Sequence, residues 1–168
     1  MDSIARNKVF DFLKTHDIDF ECHEHPAVAT VEEALRYSEN MGDATLCKNL
    51  FLRNRKGTLY FLVIMECSKK LDLHHLEKII GEGRLSFASA ERMMNYLGVA
   101  PGSASLFGAI NDTDNEVLLI IDSELESASR FSFHPNDNTA TLVIDNIGFH
   151  KFLKYCGNKY EFAKLDKV

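Results

Sequence analysis

The chain has 168 residues, of which 45% are hydrophobic and 26% charged, and this composition predicts one globular domain over residues 1–168 rather than a disordered or repetitive protein. The longest apolar run, residues 59–65, is too short to span a membrane, and the four cysteines form no close pair, so we expect a cytoplasmic protein with reduced thiols. The formal net charge is -6, so the protein as a whole is acidic, and this argues against binding of nucleic acid through most of its surface.

Apolar spacing and turn residues predict five elements in the first part of the chain. Thr30 and Glu33 form a capping-box pattern, which indicates that a helix starts at Val31. Residues 54–57 are typical of a hairpin turn, and the strand after them is apolar on both faces, so it should be central in a sheet. In chain order the elements are a helix over 3–15, a strand over 18–22, a helix over 31–42, and strands over 45–53 and 58–67.

The second part of the chain combines short helices with strands bounded by turns. Asp72 and Ser89 can each cap a helix that ends at a glycine. The strands are joined by hairpins with inserted helices rather than by regular strand-helix-strand alternation, so we predict an α+β domain with a mixed, mainly antiparallel sheet flanked by helices. The elements are helices over 73–81 and 90–98, strands near 106–110, 116–121, 130–134 and 139–144, and a last helix over 146–157.

Lys48 stands out because it interrupts the apolar run of residues 46–52. Side chains alternate faces along a strand, so Lys48 should share a face with the leucines of this run while Asn49 lies opposite. Burying an unpaired ammonium is costly, so the group must find a partner, lose its proton or open onto a pocket. We interpret Lys48 as a functional residue; the alternative is a side chain that extends to solvent at the edge of the sheet.

Positive charge is concentrated in the middle of the chain. Residues 48–92 contain nine Lys and Arg against five Asp and Glu, whereas the rest of the chain contains ten against twenty. This section could bind a phosphate backbone, although a charged stretch is also typical of a solvated surface. Its cations are Lys48, Arg53, Arg55, Lys56, Lys69, Lys70, Lys78, Arg84 and Arg92.

Motifs of several other enzyme classes are missing. The chain has no phosphate-binding loop, no dinucleotide-binding glycine pattern, no nucleophile-elbow serine and no zinc-protease histidine pair. His23 and His25 would share one face of a strand, but no matching carboxylate or thiol set completes a metal site, so we predict neither a metal nor a cofactor. A nucleophilic pair of Cys47 and His134 is a further alternative, weakened because Cys47 should lie opposite Lys48.

A scattered set of polar residues and glycines remains as the candidate site. The turn at Gly102 and Ser103 can direct main-chain N–H groups toward an anion or a carbonyl oxygen, and an ordinary loop is the alternative interpretation. A single histidine before Pro135 can equally be structural. The set is Thr30, Lys48, Asn49, Gly102, Ser103, Gly108 and His134.

Taken together and in this order, segments spanning nearly the whole chain resemble the YbaK/ProX family of aminoacyl-tRNA deacylases, and within it the ProX branch associated with editing of mischarged prolyl-tRNA. The most specific segments are the Lys-Asn-Leu-Phe-Leu run at 48–52 and the Gly-Val-Ala-Pro-Gly-Ser loop at 98–103, which occur at the family's spacing. The matching segments are residues 25–34, 47–53, 56–57, 60–63, 85–89, 97–103 and 133–140.

This resemblance implies hydrolysis of the ester that joins a wrong amino acid, alanine on the proline tRNA, to the 3′-terminal adenosine. A synthetase pocket built for proline cannot strongly reject the smaller alanine, so a second and smaller pocket must remove the error. The resemblance also implies water as the nucleophile, assisted by the terminal ribose hydroxyl and main-chain groups, without a metal or cofactor. The tRNA acceptor end is the implied partner, prolyl-tRNA synthetase and an elongation factor are further candidates, and no membrane is involved.

Carried over residue by residue, Lys48 matches the family's functional lysine and is the predicted catalytic residue, whether it binds the terminal phosphate, holds the ribose or polarises the carbonyl. One departure concerns the loop over residues 102–108, where many relatives have a second proline before the phenylalanine, and it leaves the amino-acid preference open. A deacylase for mischarged cysteine or serine, and a non-catalytic module that senses tRNA or amino acids, are the alternatives. Predicted substrate contacts are Val28, Thr30, Val31, Asn49, Gly102, Ser103, Gly108 and His134, and predicted tRNA contacts are Arg53, Arg55 and Lys56.

Overall fold

The computed structural model describes residues 3–166, so Lys167 and the chain ends lie outside the described part. It contains five α-helices within this range, and each starts after a side chain that accepts a hydrogen bond from the main-chain N–H three residues on. The capping residues are Ser3, Thr30, Asp72, Ser89 and Asp145. The helices are α1 (Ile4–Thr15), α2 (Val31–Ser38), α3 (Leu73–Ile80), α4 (Ala90–Leu97) and α5 (Asn146–Tyr155).

Eight strands of the described chain form one mixed sheet in the order β1-β7-β6-β2-β3-β5-β8, with β4 beside β2. Four pairs of strands are antiparallel and three are parallel, which confirms the predicted α+β class. The strands are β1 (Glu21–Glu24), β2 (Thr45–Asn54), β3 (Tyr60–Glu66), β4 (Leu85–Phe87), β5 (Val117–Asp122), β6 (Arg130–Phe133), β7 (Ala140–Asp145) and β8 (Tyr160–Ala163).

One edge of β2 changes its partner along its length. Near its start, Thr45 and Leu46 pair with β6 in parallel, whereas near its end residues 52–54 pair with β4 in antiparallel fashion. Between these two segments, residues 47–51 have no strand partner on this edge, while their opposite edge pairs with β3. The sheet therefore has a local opening beside the middle of β2.

Two apolar cores cover the two faces of the sheet. The larger contains Phe51, Leu62 and Ile64, and the smaller contains Phe61 and Val63. Alternate residues of β3 thus enter different cores, as a strand buried on both faces requires. The predicted central position of this strand is confirmed, because β3 lies between β2 and β5.

The structure corrects two predicted strands and adds two others. The first strand starts at Glu21 rather than at residue 18, because Ile18 and Phe20 pack in the larger core without a strand partner. Residues 106–110 form a buried 3₁₀ turn, Leu106–Asn111, instead of a strand. The unpredicted strands β4 and β8 are only three and four residues long, too short for a recognisable alternation.

Within residues 3–166, no helix combines the length and the apolar character that crossing a membrane requires.

Candidate active site

A cavity of about 330 Å³ lies at the opening beside β2. Its walls come from the entry to α2, the middle of β2, the segment from β4 to α4, the loop before the 3₁₀ turn, and the end of β6. Most of the lining side chains are apolar, including Val31, Phe51 and Met93. The polar side chains that line it are Thr30, Lys48, Asn49, Ser132, His134 and Thr141.

Lys48 lies on the strand face that alternation predicts. Its neighbours Leu50 and Leu52 contact the smaller core, whereas Cys47 and Phe51 contact the larger one. The half-buried Lys48 side chain lines the cavity, and its Nζ donates a hydrogen bond to the main-chain oxygen of Lys69. One of its three N–H bonds is thereby directed, and two remain for a ligand.

Asn49 reaches the cavity from the opposite face of β2. Its side-chain oxygen, Oδ1, is buried and has no hydrogen-bond partner among the described residues. A buried acceptor without a partner costs about 1–3 kcal/mol, so such groups are usually completed by water or a ligand. Asn49 is therefore a candidate acceptor for a donor group of the substrate.

His134 follows the last residue of β6 and lines the cavity. Its Nδ1 lies 2.9 Å from the main-chain oxygen of Ala140, so Nδ1 carries the proton and Nε2 is the acceptor. Burial lowers the pKa of His134 below its ordinary value, so the ring is neutral at neutral pH. A neutral imidazole of this kind can accept a proton from water or from a hydroxyl group.

The loop before the 3₁₀ turn forms a tight turn at the cavity wall. The Ser103 N–H donates to the Ala100 oxygen at 3.1 Å, and Gly102 has a φ of +89°, as the third position of a type II turn requires. Pro101 has no N–H, and the N–H of Ser103 is used within the turn. Gly102 therefore carries the N–H group that this turn can offer to a ligand.

The structure brings most, but not all, of the predicted site residues together. Ser103 is close in sequence to the lining residues but is not one of them. Gly108 is buried in the 3₁₀ turn away from the lining, and a Cβ there would come within 3.0 Å of the Leu97 Cβ, so close packing accounts for this glycine. The predicted residues that line the cavity are Val28, Thr30, Val31, Lys48, Asn49, Gly102 and His134.

Phe87 is a site residue that the sequence did not single out. It lies at the end of β4, lines the cavity, and is 60% exposed. Its segment belongs to the family resemblance, but a phenylalanine in a short apolar run carries no signal of function by itself. An exposed aromatic ring at a cavity rim offers a flat surface for another ring.

The predicted tRNA contacts follow one another from the end of β2 into the β2–β3 turn, and the first of them pairs with the strand that carries Phe87. Arg53 is at the end of β2, opposite Ser86 of β4, and the exposed Arg55 and Lys56 follow in the β2–β3 turn. The Arg92 guanidinium covers the Tyr60 ring at 5.8 Å, and it also lies against Gly57 of the same turn. These residues form a basic surface, which we call the basic turn.

Lys69, counted with the same basic section of the sequence, is not part of that surface. Its ammonium lies within 2.8 Å of carboxylate oxygens of Asp122, Glu124 and Asp166. The cations of residues 48–92 therefore do not form a single patch.

The alternative chemistries find little support in the geometry. Burial raises the pKa of the Cys47 thiol strongly, so it is protonated at neutral pH, the opposite of an activated nucleophile. His25 uses both ring nitrogens, one on the Pro26 oxygen at 2.8 Å and one on Thr141 Oγ1 at 2.9 Å. Three carboxylates of the described chain lie close enough to share a cation, Asp122, Glu124 and Asp166, and the Lys69 ammonium already lies among them.

Comparison with known proteins gives a consistent result. Residues 25–152 match the family described as "Aminoacyl-tRNA editing domain". The chain is 37% identical to the "Prolyl-tRNA editing protein ProX" of Acetoanaerobium sticklandii over 98% of this chain and all of that protein. It is 34% identical to the "Prolyl-tRNA synthetase associated domain-containing protein 1" of Xenopus laevis over 91% of this chain and 92% of that protein.

The fold has solved counterparts. The crystal structure of a candidate trans-editing enzyme for prolyl tRNA synthetase superposes with a TM-score of 0.75 over the full length of both chains, at 20% sequence identity. This likeness supports the fold assignment.

Proposed function

This chain belongs to the aminoacyl-tRNA editing domain family and is an aminoacyl-tRNA deacylase, and we propose that its substrate is alanyl-tRNA of proline, hydrolysed in trans. The observation that carries the proposal is the small, mainly apolar cavity into which Lys48, Asn49 and His134 bring a cation and two acceptors. An aminoacyl ester presents the complementary groups: a carbonyl oxygen, a cationic amino group and a ribose hydroxyl.

In the proposed reaction, water attacks the ester carbonyl carbon, and the bond to the ribose oxygen of the terminal adenosine breaks. Negative charge develops on the carbonyl oxygen, and in this proposal the Lys48 ammonium and the Gly102 N–H stabilise it. Neutral His134 accepts a hydrogen bond from the water or the ribose hydroxyl through Nε2. The leaving ribose oxygen takes up a proton, so the products are free alanine and intact tRNA.

Asn49 provides a further contact for the amino acid. Its buried Oδ1 needs a donor, and the α-ammonium of an aminoacyl group supplies N–H bonds. The surrounding apolar side chains suit a methyl group better than a polar one, which favours alanine over serine. Proline is excluded by size in this proposal, because a rigid ring needs more room than the methyl group.

The tRNA approaches from the rim in this proposal. Phe87 stacks on the terminal adenine, and the basic turn contacts backbone phosphates of the acceptor end. Such a reaction belongs in the cytoplasm, where tRNA is charged and used. Prolyl-tRNA synthetase or an elongation factor would be a further partner that delivers or captures the tRNA.

The decisive test compares esters on one tRNA. Proline tRNA charged with labelled alanine, cysteine, serine or proline is incubated with the protein and with its Lys48→Ala variant, and release of the amino acid is followed. We expect alanine to be released fastest and the variant to lose about 10²-fold or more in rate. The exposed neighbour of Lys69, Lys70, gives the matched control in Lys70→Ala.

Different outcomes distinguish the alternatives. Faster release of cysteine or serine would assign another substrate to the same cavity. Binding of the charged tRNA without hydrolysis of any ester would indicate a sensing module. A folded Lys48→Ala variant with normal turnover would show that the catalytic site lies elsewhere.

A further inference from the structure

The main-chain oxygen that holds the Lys48 ammonium belongs to the turn directly after β3. This turn is anchored to the strand end, because the Lys69 N–H donates to the Glu66 oxygen at 3.2 Å. The Glu66 carboxylate in turn accepts hydrogen bonds from Ser68 and from the Cys67 thiol. The position of the Lys69 oxygen therefore sets where the Lys48 ammonium lies at the cavity.

The side chain of Lys69 ends in a group of carboxylates. Its Nζ lies 2.8 Å from Asp122 Oδ2, 2.7 Å from Glu124 Oε2 and 2.8 Å from Asp166 Oδ2. We call these three residues the carboxylate clamp. β3, β5 and β8 are parallel neighbours, so their carboxyl ends lie side by side at one end of the sheet. The clamp residues and the turn after β3 lie at that end.

The clamp is held together by a buried charge. The Asp122 side chain is 1% exposed, and a carboxylate so far from water needs a cation beside it. Burial works to lower the pKa of Lys69, but the hydrogen bonds that its ammonium donates to Asp122, Asp166 and Glu124 raise it above its ordinary value, so the ammonium stays charged. The Lys69 side chain is consequently fixed at one end by the clamp and at the other by its own turn.

We propose that Lys69 and the carboxylate clamp are positioning residues for the deacylation reaction: they fix the turn whose Lys69 main-chain oxygen directs the Lys48 ammonium at the cavity. The inference rests on the proposed catalytic role of Lys48. Lys69 itself does not line the cavity and touches no substrate in this arrangement. Its contribution lies in keeping the two remaining N–H bonds of Lys48 aimed at the substrate, since a misplacement of about 1 Å can cost about 10²-fold in rate.

The test uses four single variants of the intact chain, and two of them are also combined with Lys48→Ala. Lys69→Met removes the ammonium but keeps much of the side-chain volume. Asp166→Asn weakens the clamp at its partly exposed member, so that the buried Asp122 retains Lys69 and the fold is preserved. Lys70→Met is the matched control, because Lys70 is the exposed next residue and its ammonium has no part in the clamp. Lys48→Ala provides the background in which the ammonium that the turn after β3 directs is absent.

Single-turnover rates and KM are measured on alanyl-tRNA of proline, with thermal unfolding of every variant. We expect Lys69→Met to lower the single-turnover rate by about 10- to 10²-fold with little change in KM, Asp166→Asn to lower it by a few-fold, and Lys70→Met to match the original protein. In the Lys48→Ala background, Lys69→Met should lower the residual rate no further, since the two residues act as one unit.

Two results would overturn the inference. One is a Lys69→Met variant with a normal rate while Lys48→Ala has lost its activity. The other is an equal loss from Lys69→Met with and without Lys48, which would show a general structural role. If Lys69→Met does not fold, Asp166→Asn with its double mutant Lys48→Ala/Asp166→Asn decides the question by the same comparison. Normal activity of Lys48→Ala by itself would instead refute the proposed function.

Discussion

At the scale of single residues, the cavity is defined by three side chains with different states of hydrogen bonding. Lys48 has one directed N–H bond, His134 has one engaged nitrogen, and the buried Asn49 Oδ1 has no partner in the described chain. Each therefore keeps capacity for a ligand, and one hydrogen bond restricts the orientation of Lys48 and of His134. Side chains with spare donors and acceptors are what the proposed attack of water on the ester requires.

His134 should make the folded protein less stable at acidic pH, and replacing it by glutamine should reduce this effect. Its pKa is lowered below 6.5 by burial, so on acidification the unfolded chain takes up this proton before the folded chain does. The stability contribution of the neutral ring is complete above the ordinary pKa and declines as the pH falls toward the folded pKa. Chemical unfolding at pH values of about 7.5 and about 5.5 should show a smaller difference for His134→Gln than for the original protein.

The same variant tests the chemistry of the ring. Glutamine can form hydrogen bonds but cannot take up a proton in this range, so His134→Gln should lower the deacylation rate by about 10²-fold if the ring acts as a base. An unchanged rate would leave His134 with a structural role only.

At the scale of elements, the site depends on a strand that changes partners and on the start of one helix. β2 leaves β6 after Leu46 and meets β4 at Leu52, and the cavity occupies the interval. The capped start of α2 closes one side: Thr30 accepts from the Glu33 N–H, and the Glu33 carboxylate accepts from the Ala29 N–H. This pair of hydrogen bonds fixes Val31 at the cavity wall.

Shortening Val31 should relax the size limit of the cavity. Val31→Ala removes two methyl groups from the wall, so prolyl-tRNA should be hydrolysed measurably while alanyl-tRNA is still processed. The ratio of the two rates on the same tRNA is the measurement. Leu35→Ala is the control, since Leu35 is exposed on the same helix and does not line the cavity. If truncations in residues 28–31 and 102–106 all leave the ratio unchanged, selection by size is refuted.

The exposed ring at the end of β4 should bind the terminal base. Stacking of a base on an aromatic side chain is worth about 1–3 kcal/mol, so Phe87→Ala should raise KM for alanyl-tRNA by about 5- to 150-fold. Met94→Ala is a suitable control, because Met94 is exposed on α4 outside the lining. Equal KM values for the two variants would show that the adenine binds elsewhere.

At the scale of the whole molecule, an acidic protein is expected to bind an acidic partner through one basic surface. The net charge is -6, yet Arg53, Arg55, Lys56 and Arg92 collect around the β2–β3 turn. Acidic surroundings repel the rest of the tRNA, so the basic turn should determine the orientation in which the acceptor end arrives.

Charge reversal in the basic turn should weaken binding in a salt-dependent way. Arg53→Glu, Arg55→Glu and Lys56→Glu, made singly, should each reduce the slope of log affinity against log salt by about 0.7–0.9 if a phosphate contact is lost. Lys164→Glu is the control, because Lys164 lies after β8, outside the cavity lining and the basic turn. A larger effect at Lys164 would place the tRNA on the other side of the molecule.

Local chemistry along the chain was sufficient to predict much of the fold. All five helix starts follow capping side chains, and the β2–β3 hairpin follows its turn residues, because these preferences act within a few residues. The apolar residues near 106 predict a strand when only their neighbours in the sequence are considered, but they form a 3₁₀ turn. Its residues Leu106 to Ala109 are all buried, so no alternation of apolar and polar residues distinguishes a strand from a 3₁₀ turn there.

The sequence by itself determined which residues are chemically unusual, whereas only the tertiary structure decided how they act together. A lysine within an apolar strand must have a partner, and this follows from the cost of burying charge wherever the strand lies. That the partner is the oxygen of Lys69, that Phe87 reaches the rim, and that three carboxylates hold Lys69 depend on pairings between distant strands. Such pairings depend on the packing of the whole sheet, so they cannot be predicted from the residues near one position in the sequence.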